Sequence, residues 1–314
     1  MTVDTVGTPA WWGGFMLLIF GLLALDLGVL QRRAQELSFA KAAAWTAMWV
    51  SIAAAFGGFV WVAIGRQSAA LYAQGYVVEQ ALSVDNVFVF GVLFDQFRVP
   101  RNVQHRVLFW GILGALLLRG VFIGLGTAAV QRFEWLLYIF GALLIYTGIK
   151  LLFSGEDESA NVEDSRLIKY ARRLLPITKD YHGEHFFVKE GARNMVTPLF
   201  LVLLAVEASD LLFAVDSIPA VIGITSDPFI VYTSNIFAIL GLRSLYFLVA
   251  ALMGAFHYLK VALSVILSFI GFKMIGQHWV EVPTYLSLAV IFGTLTVAIL
   301  ASVVRTRIVG AEQK

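Results

Sequence analysis

The chain contains no cysteine, so neither a disulfide framework nor a thiolate metal ligand is open to it. It is also poor in charge. Asp, Glu, Lys and Arg make up 14% of its 314 residues, against roughly 25% in a soluble domain, so water is not its main solvent. No basic stretch is interleaved with aromatics, which removes the usual footprint of a nucleic-acid binder. Nor does it show the alternating segments of ~10 residues that build a membrane β-barrel. What is present is 59% hydrophobic residues and a mean hydropathy of +0.81, in continuous runs of about twenty residues or more. In lipid, backbone polar groups can bond only to each other, so such runs must be helices. The expected fold class is all-α, a polytopic membrane protein whose first partner is the lipid bilayer.

Nine spans are predicted, at about 11–30, 41–65, 69–94, 107–130, 134–153, 198–224, 229–256, 258–276 and 284–304. The first run, Trp11 to Leu30, differs from a cleaved signal: its positive charges, Arg32 and Arg33, follow it, and it contains Asp26. Basic residues gather in alternate connections: Arg32, Arg33 and Lys41; Arg98, Arg101 and Arg106; Arg166 to Arg193; Arg305 and Arg307. By the positive-inside rule the N-terminus is outside and the C-terminus cytoplasmic, as in a bacterial inner membrane. The chain then divides into two N-terminal spans (1–66), a first triplet (67–155), a polar cytoplasmic linker (156–193), a second triplet (194–277) and a last span with its tail (278–314). A short amphipathic helix is expected near 163–175 within the linker.

Two acidic segments lie inside the oily runs: Glu79-Gln-Ala-Leu-Ser-Val-Asp85-Asn86, and Glu207-Ala-Ser-Asp210 continuing to Asp216-Ser217. Offset by 131 positions, Asp210 falls on Glu79, Asp216 on Asp85 and Ser217 on Asn86. A second match joins Leu118-Arg119-Gly-Val-Phe122 to Leu242-Arg243-Ser-Leu-Tyr246, and a third joins Gly148-Ile-Lys150 to Gly271-Phe-Lys273. Spans 3–5 therefore pair with spans 6–8. A triplet has an odd number of spans, so the second copy enters from the opposite face: an inverted 3+3 helix repeat, the architecture of many secondary transporters.

A carboxylate at mid-membrane depth costs about 2.5–3.5 kcal/mol even on insertion scales. Glu79, Asp85, Glu207, Asp210 and Asp216 thus point to a site for a cation or for protons. Asn86 and Ser217, with Ser83 and Ser209, complete an all-oxygen environment that suits Mg²⁺, Ca²⁺ or Mn²⁺ better than Zn²⁺ or Cu⁺. The alternative is structural ion pairing with Arg119 and Arg243, which accounts for only part of five acids. Arg119 and Arg243 themselves read as charge partners that hold the cavity together, and Asn235, with Ser234, as interhelical polar glue or supporting ligands. Residues six apart diverge by roughly 120° on a helix, so Asp216 cannot join Glu207 and Asp210 without a break or a shared cavity between spans 3 and 6. Pro219 marks an expected break. His182 and His185 stand in the polar linker at a spacing open to metal, with a solvated loop the simpler reading; His257 and His278 fall at span ends.

These residues resemble the TerC family of integral membrane proteins, including its Alx branch. The resemblance rests on Glu79-Gln-Ala-Leu-Ser-Val-Asp85-Asn86-Val-Phe, on Thr197-Pro-Leu-Phe followed by Glu207 through Asp216-Ser217-Ile-Pro219-Ala, and on Tyr232-Thr-Ser-Asn235 through Arg243-Ser-Leu-Tyr-Phe247. It implies a nine-span protein related to LysE-like transporters. It also implies an association with manganese efflux, metal supply to exported enzymes, alkaline stress or tellurite resistance. The family's acidic site would be Glu79, Asp85, Glu207, Asp210 and Asp216.

The leading expectation is a divalent-cation transporter without a resident cofactor, exporting Mn²⁺ by alternating access with protons as a second partner. Ca²⁺/H⁺ exchange and a non-transporting partner in metal loading are the alternatives. An intramembrane aspartyl protease using Asp85 and Asp216 is disfavoured by the extra acids and by the lack of Gly-x-Gly-Asp, so no enzyme is expected.

Overall fold

A computed structural model describes residues 5–30, 39–153, 175–190, 193–250, 258–276, 279–280 and 282–312. The chain is an all-α polytopic membrane protein. Its helices are α1 (Pro9–Leu30), α2 (Phe39–Ala63), α3 (Arg66–Gln96), α4 (Arg101–Arg132), α5 (Leu136–Phe153), α6 (Pro198–Ile222), α7 (Pro228–Leu240), α8 (Leu242–Ala250), α9 (Leu259–Gly276) and α10 (Thr284–Glu312). Among the described residues α1 to α6 and α10 are long and apolar enough to cross a membrane, and the pair α7–α8, bent by 46°, makes an eighth if taken as one span. The remaining helix, α9, has 18 residues and lies along α5. The helix expected near 163–175 falls almost wholly outside the described residues.

The centre of the bundle is α7, where every side chain from Phe229 to Leu240 is buried. A helix buried on every face and mostly apolar belongs inside other helices, and α2, α3 and α4 surround this one. It starts sharply because Pro228 pre-sets the first helical turn and the Asp227 carboxylate accepts from the amides of Phe229 (2.9 Å) and Ile230 (3.1 Å). Beyond α7, α3 packs on α6 and α8, and α4 on α6. Outward-facing leucines, valines and phenylalanines such as Leu17, Leu117, Leu125 and Leu212 remain exposed, as lipid-facing residues should.

The closest approach is between α5 and α9. A Cβ on Gly271 would stand 2.6 Å from the Gly141 carbonyl oxygen, and one on Gly148 would stand 2.8 Å from that of Ser264. Ser264 Oγ donates to the Gly148 carbonyl. Without a hydrophobic drive between helices in lipid, small residues that let backbones touch supply the contact. Gly148 and Gly271, matched by the internal sequence repeat, both lie in this seam.

Two expectations about helix breaks need correction. The break expected at Pro219 is absent: α6 runs unbroken through it to Ile222. Pro219 sits in the last turn, so its missing N–H removes one hydrogen bond where the helix is about to end. The break falls instead at Gly241, inside the predicted span 229–256, where the Ser244 hydroxyl donates to the Gly241 carbonyl at 2.9 Å.

A small antiparallel hairpin, β1 (Phe187–Glu190) with β2 (Arg193–Val196), was not foreseen. Four residues per strand is too short for alternation to register in the sequence. The boundary drawn at 193–194 between linker and second triplet therefore falls inside β2. The segment before it docks on the α3–α4 connection. Tyr181 Oη donates to the Phe97 carbonyl at 2.7 Å, and burial pushes this phenol up to about 12, so it stays a donor. Arg106 bonds Glu184 at 3.0 Å and stacks over Phe186. At the opposite end, Val6 N and Thr5 Oγ1 donate to Asp227 at 2.6 and 3.2 Å, and Gln131 reaches the Ser226 carbonyl.

Candidate functional site

Four helices deliver one polar group each to a buried cluster. Glu79 comes from α3, Arg119 from α4, Asp210 from α6 and Asn235 from α7, and their exposures are 0%, 1%, 4% and 0%. The Arg119 guanidinium is the hub. Its Nε donates to Asp210 Oδ2 at 3.2 Å, its Nη2 to Asp210 Oδ1 at 2.8 Å and its Nη1 to Asn235 Oδ1 at 3.2 Å. The same Nη1 also pairs with Glu79 Oε1. Asn86, two turns on from Glu79 on the same face of α3, donates from Nδ2 to Asp210 Oδ1 at 3.5 Å. The fork of a guanidinium matches a carboxylate edge, which is why arginine can hold Asp210 by two bonds while reaching Glu79 with a third.

Not all of this cluster is satisfied. Glu79 Oε2 and Asn235 Nδ2 are buried and make no hydrogen bond. The Ser217 hydroxyl lies beside the Glu79 carboxylate but outside hydrogen-bonding geometry, and Ser83 Oγ is likewise buried without a bond. By contrast Ser209 donates back to its own helix, to the Ala205 carbonyl at 2.8 Å, so its hydroxyl hydrogen is spent locally.

Glu207 stands one turn before Asp210 on α6. Its carboxylate rests against Gly114 of α4, where any Cβ would collide with it, and its Oε2 is buried without a partner. The side chains of Asp85 and Asp216 lie outside the described residues, although their backbones continue α3 and α6. Of the five acids predicted from sequence, Glu79 and Asp210 are brought onto one group, and Glu207, one turn before Asp210 on α6, is held against Gly114 of α4. Among the described residues no set of three or more Asp, Glu or His side chains is arranged to hold a metal ion. His257 and His278 lie outside them.

Among the described residues Arg243 bonds to no member of this cluster. It pairs with Asp26 of α1, Nη2 to Oδ1 at 3.0 Å. Among the described acids Arg243 thus meets Asp26 and not Glu79, Glu207 or Asp210, since it follows the Gly241 bend between α7 and α8. Asp26 had offered only its position within the first run as a signal. The Ser234–Asn235 pair divides: Ser234 Oγ bonds the Val231 carbonyl and packs where Gly75 leaves room, while Asn235 enters the cluster.

Residues 64–309 match the profile of the integral membrane protein TerC family. The chain belongs to the TerC family. Its curated relatives match it along nearly their whole length. A membrane protein of Myxococcus xanthus, STKORF319, is 49% identical over 306 residues, covering 98% of this chain and 96% of its own. A candidate membrane-bound redox modulator called Alx from Escherichia coli K12 is 45% identical over 302 residues, covering 93% and 94%. A membrane protein of Rickettsia bellii is 41% identical over 301 residues, covering 96% and 99%. No solved structure matches the chain.

Proposed function

We propose that this TerC-family protein moves a divalent cation across the membrane, with Mn²⁺ export its principal activity. The observation that carries the reading is a charged cluster of carboxylate and amide oxygens gathered around Arg119 and buried at the junction of α3, α4, α6 and α7. Carboxylates this deep in a membrane protein are costly and are most often part of an ion or proton path, and oxygen donors match hard divalent ions. Glu79 and Asp210 supply the oxygens at the junction; Glu207, Asp85 and Asp216 belong to the same helices and extend the path. Asn86, Ser217 and Asn235 support them. Alternating access would let these groups face each side in turn, with the N-terminus outside and the C-terminus in the cytoplasm.

Some relatives are named as membrane-bound redox modulators. In this chain such a role would proceed without a thiol of its own, since it has no cysteine. Ion supply to other proteins is a way to influence redox chemistry that this composition permits. The test is a flux assay in proteoliposomes across imposed Mn²⁺, Ca²⁺, Mg²⁺ and H⁺ gradients. Wild type should move Mn²⁺, and Glu79→Gln and Asp210→Asn should abolish the movement. Reconstituted protein that moves and binds none of these ions would refute the reading.

A further inference from the structure

Four oxygens converge on Arg119: Glu79 Oε1, both oxygens of Asp210, and Asn235 Oδ1. They are the oxygens that a divalent ion would need, at about 2.1–2.5 Å. A guanidinium and a divalent ion cannot use them together. The guanidinium fills the space between the two carboxylates, and two carboxylates would face three positive charges.

A purely structural ion pair would be expected to satisfy its buried atoms. Here Glu79, with no exposure, leaves Oε2 bare, and Asn235, equally buried, leaves Nδ2 bare. Leaving a buried polar atom unpaired is expensive, so the cluster is built for more than holding one arginine. The second arginine shows that the pairing is not a symmetric scaffold. Arg243, the counterpart of Arg119 in the sequence repeat, is engaged by Asp26, while Glu79 and Asp210 are engaged by Arg119.

We propose that Arg119 is a tethered cation that competes within the molecule for the transported ion's site. The incoming divalent ion displaces the guanidinium from Glu79 and Asp210, and the returning guanidinium helps to expel it. Between cycles Arg119 neutralises the empty carboxylates, so the unloaded protein can reorient without a bare pair of buried charges. The inference rests on the divalent-transport reading above and assigns Arg119 the task of setting affinity and release.

The experiment measures Mn²⁺ binding by titration of purified protein and Mn²⁺ flux in proteoliposomes for wild type, Arg119→Gln and Arg119→Lys. If the arginine leaves the site only a tenth to a hundredth of the time, removing it tightens apparent affinity by roughly ten- to a hundredfold. For Arg119→Gln the half-saturating Mn²⁺ concentration should fall by at least that lower factor, while maximal flux also falls about tenfold. Arg119→Lys keeps the charge but not the two-bond grip on Asp210, and should lie between the two. Affinity unchanged or weakened in a folded Arg119→Gln protein would overturn the proposal. Should Arg119→Gln fail to fold, unchanged or weaker binding by folded Arg119→Lys would overturn it equally. Wild type that neither binds nor moves Mn²⁺, Ca²⁺ or Mg²⁺ would instead sink the transport reading. Wild-type flux with unshifted variant affinity would sink only the tethered-cation role.

Discussion

Replacing Asp26 with Asn should loosen one end of α1. This helix lies at the edge of the bundle, with rings of its first half packed on α2 and α7. Near its start, Thr5 and Val6 bond Asp227, and rings such as Trp12 and Phe15 pack on Phe229 of α7. Near its other end the polar anchor is the Asp26–Arg243 pair at 3.0 Å. Two unit charges that close attract by about 5 kcal/mol at an effective dielectric of about 20. Their side chains retain exposures of 11% and 8%, and arginine can reach towards water along its stem, both of which reduce the loss. Breaking a fully buried pair costs about 3–5 kcal/mol, so about 2–3 kcal/mol is expected here. At ~2 °C per kcal/mol for a chain of this size, the melting temperature should fall by about 4–6 °C. The assay is thermal denaturation of detergent-purified protein, read by the surviving monodisperse fraction. Asp26→Asn with Arg243→Gln should recover at least half of the loss, because no charge is then left unpaired. An Asp26→Asn protein melting within about 1 °C of wild type would refute the claim that charge anchors this end.

Other perturbations separate packing from charge. Gly271→Leu should prevent α5 and α9 from closing, since even a Cβ there meets the Gly141 carbonyl at 2.6 Å; low recovery of folded protein, relative to Phe272→Leu on the exposed face, is the readout. Asp227→Ala removes both the α7 cap and the N-terminal clamp, and should cost about 1–2 kcal/mol; faster hydrogen exchange confined to residues 5–8 and 228–231 would accompany it, checked by mass spectrometry. Arg106→Ala should barely matter, at most about 1 kcal/mol, because its pair with Glu184 is a third to two-fifths exposed; a loss above this in a urea-based stability assay would show that the linker's docking is more than a surface contact.

The membrane class, the acidic segments and the family resemblance are all local in kind. Long apolar runs with Glu79 and Asp210 inside them must be helices with costly charges, wherever those helices sit, because lipid offers the backbone no other partner. Asn86 and Asn235 were legible as polar residues in oily surroundings for the same reason. What the chain's order alone could not decide is which charge meets which. Arg119 and Arg243 occupy matched places in the sequence repeat, yet one grips Glu79 and Asp210 while the other holds Asp26. That choice follows from the Gly241 bend and from the end of α1 bringing Asp26 within reach of Arg243, neither of which has a local signature. Pro219 carried the strongest sequence signal for a break and makes none, because its effect depends on how near the helix end lies. The hairpin at 187–196 was hidden by its shortness. The sequence by itself determined the solvent, the long helices and the inventory of buried charge, since each depends on residues within a turn or a span. Only the tertiary structure decided the pairing of those charges, since helices far apart in the chain had to pack before their side chains could find partners.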